Sequence, residues 1–354
     1  ANLSVSDDID PAQTDDDFVG GKQFEATAYS GTGSSHNISL GFKPDLVWIK
    51  ERGATGDHKL TDSTRGVTKS LESNTTNTEA TDTNGLTAFG SDGFTVGSDG
   101  AYNNSSDTYV SWAWRANGGV TSSNTDGALT CTLQANQPAG FSISKYTANG
   151  TGQSFGHGLG KVPAFFIVKK IDNQARRAVV WHQSLSSATQ SYLILTQTNA
   201  DTTDTLWNNT APTSSTISVQ KDTTEVNSPS GDSFVCWAWS EIEGFSKFSK
   251  YEGNGNADGP FIYTGFRPKM IFIKSIDGAS GDWIVIDTAR STFNVTNAGL
   301  SWNADYSETT SNRECDILSN GFKLRTSNTN LNKASETYIF GAWGDVPFKY
   351  NNTF

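Results

Sequence analysis

Gly41-Phe-Lys-Pro-Asp-Leu-Val-Trp-Ile-Lys50, Gly158-Leu-Gly-Lys-Val-Pro-Ala-Phe-Phe-Ile-Val-Lys169 and Gly265-Phe-Arg-Pro-Lys-Met-Ile-Phe-Ile-Lys274 are three readings of one block. Each holds a continuous apolar run of strand length, which points to a strand buried on both faces. The proline before each run sets the first strand residue. Upstream lie Phe24-Glu-Ala-Thr-Ala-Tyr29, Phe141-Ser-Ile-Ser-Lys-Tyr146 and Phe248-Ser-Lys-Tyr251, each followed by a glycine-rich turn. Downstream, Thr108-Tyr-Val-Ser-Trp-Ala-Trp114, Ser233-Phe-Val-Cys-Trp-Ala-Trp239 and Thr337-Tyr-Ile-Phe-Gly-Ala-Trp343 close each segment. The alternation of large and small residues in Trp-Ala-Trp predicts a strand with one packed face. Asp92-Gly93-Phe94 and Asn320-Gly321-Phe322 predict tight turns ahead of another strand.

Pro44, Pro163 and Pro268 are spaced by 119 and 105 residues. A unit of that size suits an independently cored domain and is too long for a solenoid repeat. The expected fold is all-β: three tandem antiparallel β-sandwich domains, jelly-roll-like, over 22–118, 139–244 and 245–354. Residues 1–21 form an acidic arm carrying Asp7, Asp8, Asp10 and Asp15 to Asp17. The linker 119–138 alternates Leu129, Cys131 and Leu133 with polar residues and predicts a strand. Glu241-Ile-Glu-Gly244 joins units two and three almost directly, which implies a stiff arrangement.

The 354 residues include 26 basic and 37 acidic side chains, a net charge of −11. An acidic chain without Lys/Arg runs has no general attraction to phosphate backbones, so nucleic acid is not an expected partner. No apolar stretch approaches the roughly 20 residues that span a bilayer, and the acidic first residues are unlike a signal peptide. Hydrophobic residues are only 35 %, yet 20 Phe, 10 Tyr and 10 Trp supply large apolar groups that disordered chains lack. Cys131, Cys236 and Cys315 form no CxxC pair, and Cys236 reads as a buried thiol.

Catalytic patterns are weak. Asp62 and Asp287 occupy matching positions, but Arg65 and Arg290 follow three residues later, so each pair reads as an ion pair holding a turn. Unit two has His182-Gln-Ser-Leu185 there instead, and Ser184 lies in no GxSxG elbow. His36, His58, His157 and His182 lack metal-ligand spacing and read as structural. The expectation is therefore a non-enzyme without a resident cofactor. Loops at Asp82-Thr-Asn-Gly85, Asp92-Gly93 and Asp99 to Asp107 supply oxygen ligands of the kind calcium takes, although turn formation explains the same composition. Lys50, Lys169 and Lys274 recur at the ends of the apolar strands. Stems lying over apolar surface with the ammonium in water would explain them, as would an interface or ligand role. Tyr102, Trp207, Trp302 and Tyr306 lie in polar segments where the units diverge. Aromatic rings beside amides and carboxylates are the chemistry of a shallow glycan site, and these four are its candidate contacts; packing beneath a loop is the alternative.

Several blocks are similar to a β-rich domain family of tailed-phage virion proteins, especially marine ones, in which the domain often follows a SPRY-like sandwich. They are Gly41 to Lys50, Asp62-Ser-Thr-Arg-Gly66, Ser73-Asn-Thr-Thr76, Asp82 to Leu86, Asp92-Gly-Phe94, Gly156 to Gly160, Trp181 to Leu185, Trp207-Asn-Asn209, Glu243 to Lys247, Asp258 to Pro268, Asp287 to Arg290, Leu318 to Arg325 and Pro347-Phe-Lys-Tyr350. The resemblance covers about residues 22–351 and lacks the SPRY-like domain. It implies a virion structural protein on the particle exterior, with other virion proteins and copies of itself as partners, a homotrimer among the arrangements. It brings no catalytic residues. Within that reading a tail fibre, spike or other host-attachment component, contacting cell-surface glycan, comes first. A head decoration, cement or capsid-fibre protein comes second, and a polysaccharide-degrading enzyme third. Three similar domains in one chain could also imitate threefold symmetry.

Overall fold

A computed structural model describes residues 22–344 apart from 152, 173, 222, 279 and 280. The acidic arm and Pro347-Phe-Lys-Tyr350 lie outside the described residues. Strands dominate, and the two α-helices among the described residues are single turns, Gly100–Asn103 and Thr329–Asn332. None is long and apolar enough to cross a membrane.

Each unit repeats one sheet order. An opening strand (Phe24–Ser30, Phe141–Thr147, Ser246–Glu252) pairs with the closing strand (Thr108–Trp114, Ser233–Trp239, Thr337–Gly344). The closing strand pairs with a middle strand (Leu46–Glu51, Phe165–Lys170, Pro268–Ser275), and that with a side strand (Lys59–Asp62, Val179–His182, Ile284–Asp287). All these pairings are antiparallel. A small sheet faces each large one: His36–Ser39, Gly93–Val96 and Leu86–Gly90 in unit one; Ser154–Gly156 and Thr216–Ser218 in unit two; Phe261–Tyr263, Gly321–Leu324 and Cys315–Leu318 in unit three. The segment between units one and two carries Ser122–Asn124 and Cys131–Asn136, which extend the large sheet of unit two beyond its opening strand.

The continuous apolar runs have a specific cause. Val47, Ile49 and Ala113 of unit one pack with Ile38, Phe94 and Val96 of the small sheet, a cluster private to the unit. Leu46, Trp48, Trp112 and Trp114 alternate with them and face the other way, into a second core. That second core also contains Phe141, Phe165, Ile167, Trp237 and Trp239 of unit two and Phe248, Phe272, Trp283, Trp302 and Trp343 of unit three. Each unit thus has a private core and a share in a common one. The three large sheets back onto one shared core, and this corrects the expectation of one packed face for Trp-Ala-Trp: the tryptophans enter the shared core and the alanine the private one.

At its centre the last tryptophan of each closing strand meets the other two. Trp114 and Trp239 lie 5.5 Å apart between ring centroids, Trp114 and Trp343 5.4 Å, and Trp239 and Trp343 5.9 Å, with interplanar angles of 67°, 72° and 69°. Three nearly equal edge-to-face contacts form a closed triangle, the arrangement the aromatic quadrupole favours. The units therefore surround a pseudo-threefold axis.

Candidate functional site

Several buried polar groups meet at the contacts between units, and they belong to the repeated motifs. Asp62 ends the side strand of unit one. Its Oδ1 accepts the backbone N–H groups of Thr64 and Arg65 at 3.1 and 2.9 Å, which forms the turn, and its Oδ2 accepts Arg65 Nε at 2.6 Å. That oxygen also accepts the indole N–H of Trp237 from unit two at 3.1 Å, while the Arg65 guanidinium lies 5.6 Å from the Trp237 ring centroid. Unit three repeats the device. Asp287 accepts Arg290 N at 3.0 Å, Arg290 Nε at 2.6 Å and the indole of Trp112 from unit one at 3.0 Å, and Arg290 covers the Trp112 ring at 5.7 Å. Each guanidinium is further held by a glutamate, Glu79 at 3.0 Å and Glu308 at 3.1 Å, and by a carbonyl of its own side strand. Glu308 also takes a two-pronged bond from Arg52 of unit one at 2.9 and 2.8 Å. A buried ion pair holds its position only when its remaining donors and acceptors are satisfied, and both clamps meet that condition.

The third interface uses other residues. His182 takes the place of the aspartate, and Gly341 takes the place of the first tryptophan. Ser184 N donates to His182 Nδ1 at 3.1 Å, and Nε2 donates to the carbonyl of Phe340 in unit three at 3.1 Å. A Cβ on Gly341 would lie 2.2 Å from the Phe272 ring, so Phe272 occupies the space that Trp112 and Trp237 fill elsewhere. Both partners of this interface differ from their counterparts in the other two.

His58 and His157 are wired like His182. Each receives a donor at Nδ1, Trp48 Nε1 at 2.9 Å and Leu159 N at 3.2 Å, and donates Nε2 to a carbonyl, Ser301 at 3.0 Å and Thr213 at 3.1 Å. Burial pushes His58 and His182 down to about 3 and His157 to about 4, so all three are neutral. Lys50, Lys169 and Lys274 do not reach water, which corrects the picture of stems with hydrated heads. All three are fully buried, and burial lowers each to about 8. Lys169 Nζ donates to Thr75 O of unit one at 2.9 Å and Lys274 Nζ to Thr198 O of unit two at 3.1 Å. Lys50 Nζ donates to carbonyls of its own loop at Glu51 and Ala54.

Of the four candidate glycan contacts, Tyr102, Trp207 and Trp302 are buried and offer no ring face to a ligand. Trp302 stacks on Trp48 at 4.4 Å in the shared core, Trp207 sets its edge on Phe166 at 5.0 Å, and Tyr102 donates to Asp82 at 2.8 Å. Each lies under a polar loop whose composition hides an apolar underside. Tyr306 alone is exposed, and the four do not converge. Among the described residues no three or more His, Cys, Asp or Glu side chains gather as a metal site. The loop carboxylates proposed for calcium hold protein donors instead: Asp82 accepts from Ser70, Asp92 from Ser39, and Asp99 caps Ala101 N. The cysteines are free and buried.

One family model, described as a domain of unknown function (DUF7483), runs through all three units and matches residues 19–347. The chain belongs to the DUF7483 family. A single DUF7483 match across the ring agrees with a shared core, because no unit closes its large sheet alone. No curated protein and no solved structure matches the chain.

The partners of the clamps are not legible in the sequence, since spacing cannot pair Asp62 with Trp237. The repeats laid in register carry one signal: the aspartate is absent from unit two and the tryptophan from unit three.

Proposed function

We propose that the protein is a non-catalytic structural component of a tailed-phage particle, on its exterior, where it acts as a single-chain counterpart of a trimer. The observation that carries this reading is the closed ring of three units around Trp114, Trp239 and Trp343. Rings of this kind suit threefold positions, which particles offer at fibre axes and on shells. Asp62, Asp287, His58 and His182 are engaged in bonds between units, which supports a structural rather than a chemical role. The resemblance to virion proteins supplies the setting. Host attachment, as part of a tail fibre or spike, is the favoured position: loops on a rigid scaffold are free to vary. Head decoration is the second reading, favoured by the pseudo-threefold axis, which fits a local threefold of a shell.

Locating the chain in intact particles by cryo-EM tests both. Density on the tail or its fibres supports attachment. Density on the head replaces it by decoration, and absence from the particle overturns the proposal.

A further inference from the structure

The outer face of the small sheet in unit three differs from its counterparts. Ile262 pairs with Phe322, as Ile38 pairs with Phe94 and Phe155 with Ile217, and all six side chains enter private cores. This register aligns the outward neighbours. Phe261 and Tyr263 stand where unit one has Asn37 and Ser39 and unit two has Ser154 and Gly156. They are 45 % and 64 % exposed. Across the sheet Phe261 lies opposite Lys323 and Lys323 opposite Asp316, while Tyr263 lies opposite Gly321 and Gly321 opposite Leu318. A Cβ on Gly321 would sit 3.0 Å from the Phe261 ring, so that ring lies against the bare backbone of the glycine. A polar fringe borders it. Lys323 pairs with Asp258 at 3.0 Å, and Arg325 holds Asp316 at 2.5 Å. Beyond Leu318, a cavity of about 380 Å³ is lined by Arg267, Asn294 and Phe293, the last 85 % exposed.

Size separates the occupants. At about 150–250 Å² per aromatic side chain, Phe261 and Tyr263 together offer on the order of 200 Å², against about 800 Å² per partner in a stable protein interface. Two rings on one strand face, i and i+2, match successive sugar rings, whose apolar faces stack on aromatics. Adjacent carboxylate, ammonium and guanidinium groups match their hydroxyls.

We propose that the outer face of this sheet is a glycan-binding platform, with pyranose rings stacked on Phe261 and Tyr263 and hydroxyls bonded by Asp258, Lys323 and Arg325. This deepens the attachment reading and rests on it for its biological setting, but not for the binding itself.

The test applies the full chain to an array of bacterial lipopolysaccharide and capsular oligosaccharides, beside its Phe261→Asn/Tyr263→Ser variant. That variant installs the residues of unit one, which already sit on an equivalent strand. The expected result is retention of the parent chain on at least one pyranose oligosaccharide, lowered at least about tenfold, ~1.4 kcal/mol, in the variant, with unchanged thermal unfolding. Tyr306→Ser should leave retention intact. No retained oligosaccharide overturns the proposal, and so does equal retention by the Phe261→Asn/Tyr263→Ser variant. Self-association of the parent in sedimentation that this variant abolishes would make the face a copy-to-copy contact and overturn it as well. A negative array with tail density fails the platform alone; a positive array with no particle density fails the attachment reading alone.

Discussion

Trp237 donates its indole hydrogen to Asp62, 175 residues earlier, and the carboxylate that receives it is the one that anchors Arg65. The same separation, in the opposite direction, joins Trp112 to Asp287. A motif that looks local, Asp followed three residues later by Arg, therefore acts between units. Removing the carboxylate takes one of two carboxylate partners from a guanidinium that is almost wholly buried and leaves a buried indole N–H without its acceptor. Asp62→Ala and Asp287→Ala should each lower unfolding free energy by about 3–5 kcal/mol. Trp237→Phe, which loses the indole hydrogen bond, should lower it by about 1–3 kcal/mol. Denaturant titration of the singles and of the double Asp62→Ala/Trp237→Phe measures the coupling, and strict additivity would contradict the clamp.

At the third interface the direction reverses, because space rather than charge is limiting. Gly341→Ala sets a methyl against Phe272 and Phe248 and should destabilise by about 1–3 kcal/mol through overpacking. Trimming the ring in Gly341→Ala/Phe272→Leu should recover part of that loss relative to Phe272→Leu alone. Gly341→Ala at no cost would show that the space is not filled as described.

Acid should loosen the ring earlier than carboxylate titration alone would. His58, His157 and His182 are held neutral, at about 3, 4 and 3, while an unfolded histidine titrates near 6.5. The unfolded chain thus binds more protons below pH 6.5. Stability is complete above that value and falls as pH drops toward 4, by up to about 1.4 kcal/mol per pH unit for each histidine. Melting curves between pH 7 and 5 check this. His182→Gln should flatten the slope by roughly one histidine's share, and a profile with no slope would contradict it.

On the alkaline side the buried lysines give a slope of the same sign. Lys50, Lys169 and Lys274 lose their protons near 8 in the fold and near 10.4 when unfolded. Between pH 8 and 10 the unfolded chain again binds more protons, so stability rises with pH. Replacing one lysine by Met should reduce that rise in a pH series of melts; a fall across the window in the parent chain would count against burial of the three heads.

Calorimetry should record one unfolding transition for the whole chain, with equal calorimetric and van't Hoff enthalpies. Every unit lends residues to the shared core, so loss of one unit uncovers the other two. Separate transitions for units one, two and three would mean that private cores suffice.

The repeated blocks made the strands and the all-β class legible, because buried strands announce themselves as short apolar runs between turns. They did not reveal that Trp48 and Val47 lie in different cores, since a run buried on both faces carries no alternation. Nor did polarity of the flanks disclose that Trp207 and Trp302 sit beneath their loops: burial is decided by partners distant in sequence, here Phe166 and Trp48. The exposed pair Phe261 and Tyr263 was readable only by laying the three units in register and asking where one alone had become aromatic.

The unlike interface at His182 and Gly341 has a genetic side. In an assembly of three identical chains, a glycine replacing tryptophan would be copied into every interface, and its compensating partner would have to appear three times at once. A fused ring experiences each substitution once. One joint can differ while two share a pairing, and one unit can carry an extra strand or an aromatic face that its siblings do not display.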